Sequence, residues 1–120
     1  MTDKDIEQEI QAKGLTAPRI TPDDIKANIA SEHYFTAADG VMGNDDVTDV
    51  NFPGSKEIET LDLLTFCVLV LKNGFTVTGE SACVSPENFN AELGRKIARQ
   101  NAVQKIWPLM GYELRSKLTA

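Results

Sequence analysis

From residue 61 onward the chain carries its clearest pattern. The run LDLLTFCVLVL is followed by Lys72-Asn73-Gly74-Phe75 and then by TVTGESACV. Asn-Gly between apolar and β-branched residues predicts a hairpin, because both central positions of a tight two-residue turn need positive φ. With Asn73 and Gly74 as the loop, Leu71 faces Thr76, Val70 faces Val77 and Leu69 faces Thr78. Phe66, Val68, Val70, Phe75 and Val77 then share one face, the expected core. Cys67, Leu69, Leu71, Thr76, Thr78 and Glu80 share the other, which is half apolar. A lone hairpin is marginal in water, so the pattern asks for a third short strand or a partner chain.

After residue 84 the period becomes helical. Ser85-Pro86-Glu87 reads as an N-cap, a first helical residue without a useful N–H, and an acid at the positive end of the helix dipole. Phe89, Leu93, Ile97, Val103, Ile106 and Trp107 recur at mostly helical spacings, which predicts a helix over 86–107. Pro108 is expected to end or kink it, with a short terminal helix beyond. Upstream, Thr21-Pro22-Asp23-Asp24 is a variant of the capping box and predicts a helix over 22–33, with Ile25 and Ile29 facing inward. Residues 1–20 read as a flexible arm or a weak helix over 3–13 stopped by Gly14. Residues 37–56 are rich in Gly, Asp and Asn and read as a mobile acidic loop. The fold class is therefore α+β: a hairpin with strands over 63–72 and 75–84, packed on the C-terminal helix, in a single globular domain over 21–120.

With 120 residues the chain suffices for one hydrophobic core, and 42% hydrophobic with 25% charged residues is ordinary for a folded domain. The net charge of −6 argues against a protein that coats nucleic acid. That total is uneven: residues 1–62 hold 14 acidic and 5 basic side chains, residues 63–120 hold 4 and 7. The plainest reading is a solvated acidic surface beside an ordinary helix face; the alternative is attraction between the halves, within a chain or between subunits. Cys67 and Cys83 form no CxxC pair, and with His33 as the sole histidine there is no zinc-ligand spacing. The acidic residues of the loop lack the order of a calcium-binding loop. No metal or cofactor is expected. The charged start has no signal-peptide core and no run is long enough for a membrane span, so the expected location is cytoplasmic.

Residues 63–115 carry a resemblance. GESACVSPENF, GRKIARQNA and IWPLMGY, together with ITPDDIKANIASEHYFTAADG upstream, resemble a family of bacteriophage proteins named by gene-product numbers 49 and 66, over about residues 19–116. The resemblance implies a phage or prophage accessory protein acting in the cytoplasm of a bacterial host. It implies no particular activity.

Two places could carry binding chemistry. The helix start near Ser85 offers free N–H groups to an anion such as a nucleotide phosphate, with Ser81, Ser85 and Asn88 as further donors and Arg95 and Arg99 further along. Glu87 opposes an anion there, and the same residues make an ordinary helix cap. His33, Tyr34 and Phe35 join an imidazole to two aromatic rings, suited to docking a partner together with the acidic Asp45 and Asp46, or simply to filling a core. No nucleophile–base pair is specified by spacing, and no enzyme is expected. The expected function is a non-enzymatic accessory protein binding a host or defence-related target, by protein mimicry or by sequestering a small nucleotide-like ligand. The alternative is a nucleic-acid-associated factor in phage replication or recombination. A homo-oligomer, most simply a dimer, is the expected assembly.

Overall fold

The computed structural model describes residues 2–44 and 54–120. It contains a three-stranded antiparallel sheet in the order β1-β2-β3, formed by β1 (Ile29–Thr36), β2 (Leu64–Leu71) and β3 (Thr76–Ala82). Four short helices, α1 (Asp3–Ala12), α2 (Pro22–Ala27), α3 (Ala37–Met42) and α4 (Ser55–Leu61), precede the hairpin, and the long α5 (Ala91–Leu118) follows it. The architecture is α+β.

The third strand comes from a segment expected to be helical. Thr21 and Asp24 cap α2 reciprocally, Asp24 N donating to Thr21 Oγ1 at 3.1 Å and Thr21 N to Asp24 Oδ2 at 2.9 Å. The helix stops at Ala27 rather than near His33, and the chain enters β1 at Ile29. Two features favour the change: Tyr34, Phe35 and Thr36 suit a pleated surface, and the apolar β2 needs backbone partners on both sides. The expected loop over 37–56 also begins and ends in helix, α3 and the start of α4. Thr36 and Asp39 repeat the α2 capping box at the start of α3. The central part of that loop, including Asp45 and Asp46, lies outside the described residues.

The hairpin forms, but its turn is one residue longer than the sequence suggests. Leu71 N donates to Phe75 O at 2.8 Å and Gly74 N to Leu71 O at 2.9 Å, so Lys72, Asn73 and Gly74 make the connection. Gly74 takes φ +88, the left-handed conformation of a three-residue hairpin loop. Val70 consequently pairs with Thr76 and Leu69 with Val77. Shifting the pairing by one residue moves a strand's side chains to the opposite face of its partner. The core face is therefore Cys67, Leu69, Leu71 and Val77, all buried, while Phe66, Val68 and Val70 lie on the other face, half-buried.

α5 covers the core face. Ser85 makes no capping bond; Pro86–Asn88 is a single 3-10 turn, and Asn90 caps α5 by accepting from Leu93 N at 2.9 Å. The chain stays extended at Phe89 before α5 begins, so the cap falls five residues later than expected. The buried row of α5 is Gly94, Ala98, Ala102 and Ile106, not Leu93 and Ile97, which are exposed. The small residues win because the helix backbone rests on β3 at Gly79. A Cβ built there would fall on Ala98 O and Ala102 N and within 2.9 Å of Ala102 Cα. α5 also continues through Pro108 to Leu118 instead of ending or restarting there. Proline forfeits one bond to the carbonyl four residues back, whereas continuation packs Met110 against the core. At 28 residues the helix is about 42 Å long, against about 27 Å for an eight-residue strand, so it outruns the sheet.

Candidate functional site

The face of the sheet opposite α5 carries an apolar strip. Phe66, Val68 and Val70 run down β2, and Phe35, His33 and Ser31 lie beside them on β1 in register. Phe35 and Phe66 stack with ring centroids 5.4 Å apart and an interplanar angle of 23°. Gly40 of α3 approaches the Phe35 ring, yet Phe35 remains 37% exposed. On the other side Thr76, Thr78 and Glu80 face the strip, the Thr78 hydroxyl donating to Glu80 Oε1 at 3.4 Å. Ser31 Oγ and His33 Nε2 are 3.0 Å apart. At the α3 end, Thr36 Oγ1 donates to Asp62 Oδ1 at 3.0 Å and Asp39 sits in the first turn of α3. The surface is thus an aromatic and aliphatic strip with the carboxylate of Glu80 in register beside it.

Strand alternation splits the expected His33-Tyr34-Phe35 cluster. His33 and Phe35 lie on the open face, and Tyr34 points toward α5 beside Cys67 and Glu32. Tyr34 Oη donates to Glu32 Oε1 at 2.8 Å, and Arg99 of α5 donates to the same carboxylate through Nε at 2.8 Å. The Arg99 hydrogen bond holds the Glu32 carboxyl below its ordinary range. Burial, followed by the Glu32 bond, pushes the Tyr34 phenol well above its ordinary value, and burial raises the Cys67 thiol. Arg99 is therefore committed to joining α5 and β1.

The other expected ligand residues gather around the start of α5 in two clefts. Ser81 and Asn88 border a cleft of about 240 Å³ with Cys83, Leu93 and Ile97. Ser85 does not line it; its carbonyl accepts from Cys83 Sγ at 3.1 Å. Arg95 borders a separate cleft of about 90 Å³ with Tyr34, Phe35, Asp39 and Phe89. Thr65 and Phe89 border both. The five residues do not converge on one pocket: Ser81 and Asn88 share a cleft, Arg95 faces the other, and Arg99 is paired elsewhere. Both cysteines are free thiols, Cys67 buried and Cys83 partly so. Among the described residues no group of three or more His, Cys, Asp or Glu side chains could hold a metal ion. No helix among them is long and apolar enough to cross a membrane.

Phe66, Val68 and Val70 escaped a sequence reading because they were assigned to the core. The signal that places them outside is the turn length, which Asn-Gly leaves ambiguous between two and three residues. Glu32 was missed because its partner Arg99 is 67 positions away. Thr36-Ala37-Ala38-Asp39 was legible as a capping box and marks where β1 ends.

The profile of a phage protein family, the N4 Gp49/phage Sf6 gene 66 family, matches residues 20–118, and the chain belongs to that family. No curated protein and no solved structure matches the chain.

Proposed function

We propose that this phage protein is a non-enzymatic binding protein that docks a protein of the bacterial host on the open face of its sheet. The observation that carries the reading is the strip of Phe35, which is exposed, and Phe66, Val68 and Val70, which are half-buried, on a sheet whose other face is filled by α5. A partly exposed aromatic and aliphatic strip of this kind suits an interaction surface. Glu80 beside the strip and the chain's charge of −6 favour a partner with an apolar patch flanked by lysine and arginine.

Affinity capture from infected cells tests this. The wild-type chain enriches one host protein with a basic surface, and Val68→Asp with His33→Glu loses it while keeping a native circular-dichroism spectrum. Equal capture by both chains would remove the sheet face from the account.

A second reading rests on the clefts at the start of α5. Arg95, three aromatic rings and the hydroxyl residues there suit a small phosphate-bearing ligand, although Asp39 lines the same cleft. Native mass spectrometry of the protein from infected cells separates the two readings, since only the second retains a small ligand.

A further inference from the structure

We infer that the larger cleft at the start of α5 binds a small uncharged molecule with adjacent hydrogen-bond donors and acceptors, the edge presented by a nucleobase or a primary carboxamide. The cleft exists because the chain does not pass directly from β3 into α5. It makes the turn Pro86–Asn88, stays extended at Phe89 and starts the helix only at Ala91. A space of about 240 Å³ is left between that connection, the start of β2, the end of β3 and the first turns of α5.

Thr65 is the residue that points to a ligand. It is 3% exposed, the one buried polar residue among those described, and it borders the cleft. Among the described residues nothing hydrogen-bonds its hydroxyl. A buried hydroxyl without a partner is unfavourable and rare, and a ligand in the cleft supplies the missing bond. Across from it α5 carries Gly94, where a Cβ would lie 3.1 Å from Thr65 Oγ1. Glycine weakens a helix relative to alanine, so the hydroxyl is kept accessible against local helix propensity.

The rest of the lining defines the occupant. No Asp, Glu, Lys, Arg or His borders this cleft. An ionised ligand would lose its water there without a counter-charge, which selects an uncharged one. Ser81, Asn88 and Asn90 add hydroxyl and carboxamide groups. Asn90 Oδ1 is taken by Leu93 N, which leaves the Asn90 NH2 group to donate. Val84, Leu93 and Ile97 give the mouth exposed apolar walls. Apolar walls around a few convergent polar groups are the usual makeup of a small-molecule site. The volume equals about eight waters' share of the liquid, which suits on the order of ten non-hydrogen atoms. Arg95 borders only the smaller cleft, so a phosphate has no part in holding this ligand.

Titrating the ¹⁵N-labelled full chain with adenine and, separately, with nicotinamide tests the site and distinguishes the two sources of such an edge. At least one compound is expected to shift the amides of Thr65, Ser81 and Phe89–Gly94, with a dissociation constant of about 1 mM or tighter, as on the order of ten atoms support. Thr65→Val is expected to bind it about tenfold more weakly, the worth of one hydrogen bond, and Arg95→Ala to bind it unchanged. If Thr65→Val does not fold, Leu93→Ala, at an exposed helix position, reads the same loss. No shift with either compound at about 10 mM, shifts centred outside the cleft, or affinity unchanged by the substitution would overturn the site. Binding of adenosine 5′-monophosphate through Arg95 while adenine and nicotinamide both fail would also overturn it, and would leave the phosphate reading standing.

Discussion

Gly79 decides how closely helix and sheet approach. A methyl group there meets backbone atoms of α5, which cannot rotate away as a side chain would. Gly79→Ala is expected to cost about 3 kcal/mol or more, the upper range for overpacking, read from urea denaturation. Gly111→Ala is the contrasting case: nothing lies within 4 Å of its Cβ position, and the helix gains about 0.5–1 kcal/mol from alanine. The Glu32–Arg99 pair gives a pH signature at the same scale. The folded Glu32 carboxyl titrates below its ordinary value of 4.5, so its contribution is present above that value and lost as pH falls through the folded one. Both side chains are more than a third exposed, so solvent screening limits the contribution to about 0.5–1 kcal/mol. Glu32→Gln should be less stable by that amount at neutral pH and converge with the wild type under acid, as denaturation at several pH values would report.

Among the elements, the caps separate what the sequence shows from what packing decides. Asn90→Ala is expected to cost about 1 kcal/mol because it frees Leu93 N, whereas Ser85→Ala changes stability by only a few tenths. Equal losses in thermal melts would return the helix start to Ser85. The α+β class, the hairpin and the start of α2 were legible, since each rests on local chemistry: Asn-Gly, and Thr21-Pro22 with Asp24. The register was not, because one added loop residue exchanges the faces, and only α5 resting on Gly79 distinguishes them. Nor was β1, where residues 29–33 continue a helical pattern until β2 supplies a partner. The candidate site inherited both errors. His33 and Phe35 are neighbours on one face of β1 while Tyr34 belongs to the other, and the strip beside them reads as core in the sequence.

At the scale of the molecule, one long helix fills one face of a three-stranded sheet, and among the described residues no helix of comparable length covers the other. The radius of gyration is 18.6 Å, against about 14 Å for a compact domain of this length, which follows from a helix that outruns its sheet. The central claim, that the open face receives a host protein, is tested most directly by site-specific photo-cross-linking during infection, with benzoylphenylalanine placed at Val68 or at Gln100 on the exposed side of α5. The account predicts an adduct with one host protein from position 68 and none from position 100; adducts from both positions alike, or from position 100 alone, would contradict it.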